Sequence, residues 1–282
     1  MRIRNNIMAV NSSRNRGIAQ GKLNKSLEKL STGYRINRAG DDAAGLGLSE
    51  QMRSQINGLD QAVRNTEDGI GLSNTGEGAL TEVHSMLQRL KTLAIESANG
   101  TYDTVARGNI DEERLELLDE IDRISGCTDF NGIPLFENAP PAGMFQPPTP
   151  KDNIQLQIGH TKDETLDVTR YYLGKEALKL DTMDFTDQSG ANAAVEVIDT
   201  AIRAVTTIRS SFGAVTTHLE HTNNNLRVTS ENMTAFESGI RDTDMASEFT
   251  DYTVNSIINQ SAQAMLTQAN GIPQTVLTMI QG

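Results

Sequence analysis

The side chains of this sequence that could carry chemistry are four histidines, one cysteine and a few adjacent carboxylates. A metalloprotease helix needs His-Glu-x-x-His, which sets two imidazoles on one helix face beside a general base. Here His84 is followed by Ser85, His160 by Thr161, His218 by Leu219 and His221 by Thr222. His218 and His221 stand three apart and could share a helix face, but no third ligand lies nearby in the chain, so a solvated face is the better reading. Asp41 with Asp42, and Glu112 with Glu113, fall on polar helical sequence without a cleft signal, and surface charge is their default. Cys127 has no disulfide partner and reads as a small buried or half-buried residue at a helix end. With no nucleophile elbow, Walker loop or zinc-type cysteine spacing, the sequence predicts no enzyme, no metal and no cofactor.

The segment from Leu30 to Met52 is unusual for a helical neighbourhood. It reads LSTGYRINRAGDDAAGLGLSEQM, with glycines at 33, 40, 45 and 47. A phosphate-cradling loop would follow a strand and keep a fixed glycine spacing; no strand precedes this segment and the spacing does not fit. Arg35 and Arg38 lie beside Asp41 and Asp42, at the junction between the N-terminal helical segment and the long helix that follows.

The elements around that junction are helical. The chain has 282 residues, of which 37% are hydrophobic and 4% aromatic. That is too little for a broad globular core and is suited to long helices burying one stripe each, in a rod. The net charge of -12 disfavours a nucleic-acid binder. Charge is unevenly spread: residues 1–40 carry nine Lys or Arg against Glu28 alone, and no charged side chain occurs from Tyr252 to Gly282. The longest apolar run near the start, Ile7 to Val10, is too short for a secretory or membrane segment, so neither a Sec-type route nor a membrane association is expected.

Ile3, Ile7 and Val10, then Leu23, Leu27 and Leu30, follow the three-and-four spacing of a coiled-coil seam. Near the other end Val254, Ile257, Ile258, Met265, Leu266, Ala269, Ile272, Val276, Leu277 and Ile280 draw a second stripe, interrupted near Gly271 and Pro273. Helices are expected from about Ala43 to Ala98, closed by the Asn99-Gly100 turn signal, from about Thr104 to Ser125, and from about Ser189 to Ala235. Between them NIQLQIG and ETLDVTRYYL read as a β-hairpin turning at Lys162 and Asp163, preceded by an exposed Pro-rich loop, APPAGMFQPPTP. The expected fold is mainly α, a long helical coiled-coil or bundle with a small β-hairpin insert. A terminal helix with a single apolar stripe does not offset its own ordering entropy, so the two ends should pair with each other and with copies of the chain, and stay disordered in a monomer.

The segment LNKSLEKLSTGYRINRAGDDAAGLGLSEQMRSQINGLDQAVRNTEDGIGL resembles the N-terminal signature of the bacterial flagellins. The likeness continues through LQRLKTLAIESANGT and LDEIDRISGCTDFNG, and SGIRDTDMASEFTDYTVNSIINQSAQAMLTQANGIPQTVL is similar to the matching C-terminal end. Gly239, Arg38, Gly40 and Cys127 depart from the family's usual residues without deleting a motif.

The resemblance implies a flagellar filament subunit of short form, without the variable outer domains that flagellins often carry mid-chain. It divides the chain into an N-terminal assembly helix (1–40), a helical bundle (41–130 and 181–240), a β-hairpin with the Pro-rich loop (131–180) and a C-terminal assembly helix (241–282). The implied assembly residues are Ile3, Ile7, Val10, Leu23, Leu27, Leu30, Arg35, Asp41, Asp42, Ile257, Ile258, Met265, Leu266 and Leu277. Implied partners are further copies of the chain, an export chaperone at the C-terminal helix, the filament cap and hook-associated proteins. The implied location is extracellular, after unfolded export through the flagellar type III channel.

Flagellins recognised by Toll-like receptor 5 use positions matching Gln88, Arg89, Leu93, Ile110 and Glu113. Arg89 and Glu113 are each twelve residues from Thr101, so a fold-back there sets them level, and Arg89 and Leu93, four apart, would share a face. A hook-filament junction protein shares the terminal helices and remains an alternative, as does a cytoplasmic coiled-coil scaffold, which would have ordered ends as a monomer.

Overall fold

The computed structural model describes the backbone of residues 6–138 and 149–281, and their side chains except at 149–151 and 276–281. Ile3, most of the Pro-rich loop, and the side chains of Val276, Leu277 and Ile280 therefore lie outside the described residues. The described residues form five long helices and two small sheets: α1 (Ile7–Thr32), α2 (Ala43–Ser97), α3 (Thr104–Cys127), β1 (Asp129–Phe130), β2 (Ile133–Pro134), β3 (Phe136–Glu137), β4 (Thr149–Gln157), β5 (Thr165–Tyr172), α4 (Gln188–Arg241) and α5 (Met245–Gln281). The fold is mainly helical with a β insert, as the sequence predicts.

Two compact units result, one of Met1–Ile56 with Glu231–Gly282, the other of Asn57–Ser230. The first takes in the opening turns of α2 and the closing turns of α4 as well as the terminal helices.

In the Asn57–Ser230 unit the core is built from helix faces at three-and-four spacing. Leu80, Val83, Leu87, Leu90 and Ala94 of α2 pack with Leu118 and Ile121 of α3 and with Ile198, Val205 and Ile208 of α4. The insert closes this core through Leu135, Phe136, Val168 and Leu173, with the Phe136 ring edge-on to Phe212 at 5.9 Å.

The hairpin β4–β5 is antiparallel as expected, with Gln157 opposite Thr165. It acquires a third strand, since β3 pairs parallel to β5 in the order β3-β5-β4. A second, two-residue ladder joins β1 to β2. Its turn is Asn131-Gly132, with φ of 51° and 78°, the pair of left-handed residues that a two-residue hairpin turn requires. Both additions are too short to leave a periodic trace in the sequence.

Two helix bounds depart from expectation. α4 continues six residues beyond Ala235 to Arg241, and α5 runs unbroken through Pro273. Cys127 ends α3 but is exposed, not buried or half-buried. Of the glycines in the Leu30–Met52 stretch, Gly33 sits at φ 77° as the left-handed cap of α1, and Gly45 packs tightly, while Gly40 and Gly47 have nothing within 4 Å of a Cβ. Among the described residues no three His, Cys, Asp or Glu side chains converge as metal ligands, and no helix is long and apolar enough to cross a membrane.

Candidate assembly junction and recognition patch

Where α1 turns into α2, the chain meets the break between α4 and α5. Gly33 donates its N–H to the Lys29 carbonyl and closes α1. The next residues form a short antiparallel bridge: the Arg35 N–H reaches the Arg241 carbonyl at 2.7 Å, and the Thr243 N–H reaches the Gly33 carbonyl at 2.9 Å. The two helix breaks thus satisfy each other's backbone groups, which would otherwise be unpaired. The Arg35 guanidinium adds a bond to the Ile240 carbonyl in the last turn of α4.

Side chains hold this bridge from both sides. The Tyr34 ring has Arg241 at 4.9 Å and Arg53 at 6.0 Å from its centre, both within cation–π range. Each guanidinium is fixed in turn, Arg241 by Glu50 at 2.6 Å and Arg53 by Glu237 at 3.1 Å.

The acidic pair has two distinct jobs. Asp42 accepts from the Gly45 N–H at 2.9 Å and caps the start of α2. A Cβ on Gly45 would lie 2.5 Å from the Asp42 carboxylate and 2.8 Å from Ile36, so the cap itself demands glycine there. Asp41 pairs with Lys25 of α1 at 3.1 Å, and Arg38 with Glu28 of α1 at 2.9 Å. The mixed charge therefore ties the connection back onto α1.

The hydrogen bond from Lys25, followed by that from the Arg38 N–H, holds the Asp41 carboxyl below its ordinary value of 3.8. A lowered folded value stabilises the tie above the unfolded value and loses it as pH falls through the folded one. The Asp41 tie should thus be complete at neutral pH and released below about pH 4. Chemical-shift titration should show the Lys25 ammonium responding in that window, with the response absent in Asp41→Asn.

α1 and α5 lie side by side and antiparallel. Asn6 reaches Ala269, Arg16 reaches Gln263, Gln20 meets Asn259, and Lys29 pairs with Glu248 at 3.2 Å. The described residues buried on these two helices are small or polar: Ala19, Ser26, Glu248 and Ala269. This corrects the expected seam. Ile7, Val10, Leu27, Ile257, Ile258 and Met265 are exposed, with Val10 at 67% and Ile257 at 57%, while Leu23, Leu30 and Leu266 are half-buried. The stripes exist at the expected spacing but mostly face away from the partner helix.

In the other unit, α2 and α3 fold back through Asn99–Asp103, and Arg107 of α3 donates to the Ser97 and Asn99 carbonyls that end α2. The fold-back sets Arg89 level with Glu113, and two bonds of 2.7 and 3.0 Å join guanidinium to carboxylate. The Glu113 hydrogen bond raises the Arg89 guanidinium further above its ordinary value, so this arginine stays charged. Gln88 is exposed next to His84 on the same helix. Leu93 and Ile110, however, are only 1% and 9% exposed and belong to the core. Arg89 and Leu93, four residues apart, fall on opposite sides of the burial boundary, so the shared face expected for them is not presented to solvent.

Sequence reasoning missed Asn6, Tyr34 and the Arg53 and Arg241 pairs. An Asn just before an apolar helical pattern is a capping signal and could have flagged Asn6. Nothing local marks Tyr34, whose partners come from α2 and α4.

The two chain ends pair as helices, and the residues between them in sequence form a helical core with a small β insert. The bacterial flagellin N-terminal helical region matches residues 3–140, and the bacterial flagellin C-terminal helical region matches residues 195–280. A flagellin of Halalkalibacterium halodurans is 46% identical over 283 residues, covering all of both chains. That of Bacillus subtilis is 42% identical over 305 residues, again over the full length of both. The crystal structure of Bacillus cereus flagellin is 30% identical, covers 58% of this chain and 88% of its own, and superposes with a TM-score of 0.50. The chain belongs to the bacterial flagellin family, in a short form without added outer domains.

Proposed function

We propose that this chain is the structural subunit of a bacterial flagellar filament and not an enzyme. Family membership over the full length carries the reading. The placement of the exposed apolar residues supports it. Ile7, Val10, Leu27, Ile257, Ile258 and Met265 stand exposed on the terminal helices, with no covering element among the described residues. Each such side chain contributes about 1.5–3 kcal/mol when buried, which makes further copies of the chain the natural cover. The absence of charge from Tyr252 onward lets many C-terminal helices crowd together without like-charge repulsion or buried unpaired ions.

The same face accounts for the remaining partners. Before assembly it needs protection, which an export chaperone binding α5 would give, and at filament ends it would meet the cap and hook-associated proteins. Secretion through the flagellar export channel, and the five-part division into assembly helices, bundle and insert, belong to this reading. Purified chain seeded with filament fragments should elongate into filaments visible by negative stain. A stable soluble chain that never elongates would overturn the reading, and one that caps seeds without elongating would favour a hook-filament junction protein.

We further infer that the free chain is recognised by Toll-like receptor 5 through Gln88, Arg89 and Glu113, with Leu93 and Ile110 holding the helices beneath them. The exposed, bidentate Arg89–Glu113 pair offers the fixed, planar group that favours specific recognition. In a receptor-dependent reporter, Arg89→Ala and Glu113→Ala should each lower potency about tenfold or more, the scale of a lost charge-assisted contact. Potency equal to the parent in both would remove the pair from the site.

A further inference from the structure

The proline inside α5 and the first residue before α1 meet in one hydrogen bond. Pro273 lacks an N–H, so it cannot donate to the Ala269 carbonyl four residues back, the acceptor that the helix assigns to it. Ala269 is buried, which removes water as an easy substitute. The Asn6 side-chain amide donates to that carbonyl at 2.7 Å, across 263 residues of sequence. Its carbonyl oxygen accepts from the Ala9 N–H at 3.2 Å and caps α1. One amide thus satisfies an orphan donor at the start of α1 and an orphan acceptor within α5. Neither a carboxylate nor a hydroxyl does both, since the first has no donor and the second is too short to span the two sites.

We infer that Asn6 is a positioning residue for assembly, a latch that fixes the axial register of α1 against α5 by occupying the carbonyl that Pro273 leaves open. The inference rests on the filament reading and deepens it. The apolar stripes lie on two different helices, so their combined outline depends on how far one helix is slid along the other. The other side-chain ties among the described residues, from Arg16, Gln20 and Lys29, are long or flexible and tolerate a small shift. Asn6 is short, bonds to backbone at α5, and caps backbone at α1, which leaves little slack.

The test is a double-mutant cycle read as the critical concentration for seeded elongation. Asn6→Asp keeps the cap of α1 but turns a carboxylate oxygen toward the Ala269 carbonyl. On the native background it should raise the critical concentration about tenfold. Pro273→Ala restores the backbone N–H to that carbonyl, and on this background Asn6→Asp should cost less than about twofold. Asn6→Ala, which loses cap and latch together, should keep a cost of a few fold even there. An equal loss from Asn6→Asp on both backgrounds would overturn the latch while leaving the filament reading intact. A parent chain that does not elongate at all would overturn the filament reading, and this inference with it.

Discussion

Ile257→Asp should abolish filament elongation at any concentration where the parent assembles readily. Ile257 is 57% exposed on α5, with Ile258 beside it at 48%, in a segment that carries no charge from Tyr252 onward. If copies of the chain cover this face, the substitution removes about 1.5–3 kcal/mol of apolar burial. It also takes a carboxylate out of water on a segment that carries no cation of its own, at a further cost of several kcal/mol. Together these should raise the critical concentration at least about a hundredfold. Ile257→Val, which shortens the side chain by one methylene, should raise it only a few fold. The Asn57–Ser230 unit lies outside the change and should melt as in the parent. Pelleting assays across a concentration series measure both effects, and an aspartate variant that elongates like the parent would place Ile257 on an open surface of the assembly.

The second large effect belongs to the core under the proposed recognition patch. Leu93→Ala should destabilise the Asn57–Ser230 unit by about 3 kcal/mol, because a fully buried leucine leaves a cavity that packed helices do not collapse to fill. Urea unfolding followed by helical circular dichroism measures it. Arg89→Ala should leave the urea midpoint nearly unmoved, since an exposed ion pair contributes little to stability. In the receptor assay the order reverses at temperatures where both variants remain folded. Arg89→Ala loses potency, while Leu93→Ala retains most of it. Leu93→Met conserves volume and should keep both properties. A Leu93→Ala chain that is fully stable yet inert toward the receptor would make this leucine a contact residue, contrary to its burial.

Much of this architecture is legible in the sequence because it is encoded locally. Ala43 and Thr104 begin helices as expected, the latter capped by the Asp103 side chain, and the Asn99-Gly100 signal marks the fold-back that aligns Arg89 with Glu113. What was not legible depends on partners distant in sequence. α4 outlasts Ala235 because Glu237 is held by Arg53 of α2, and the helix stops only at Asp242, where backbone bonds to the α1–α2 connection take over. Pro273 reads as an interruption, yet the helix survives it with an asparagine from the other end of the chain at the carbonyl it leaves open.

The apolar stripes show a different limit. Spacing reveals that a helix has an apolar face, but not which surface covers it. Ile7, Val10, Ile257 and Met265 follow the spacing of a seam, while the described ties of α1 to α5 run through Asn6, Arg16, Gln20 and Lys29. Tyr34 could not have been singled out, because its two arginines lie on separate helices and are themselves fixed by carboxylates that no spacing rule connects to it.

The central claim is that the exposed faces of the terminal helices are subunit interfaces. Amide hydrogen exchange, followed by peptide mass spectrometry on soluble chain and on sedimented filaments of the same preparation, tests it most directly. Peptides from 7–32 and 245–275 should exchange within seconds in the soluble chain and be protected by orders of magnitude in filaments, while those spanning Leu80 to Ala94 stay protected in both. Equal exchange of the terminal peptides in the two samples would contradict the account.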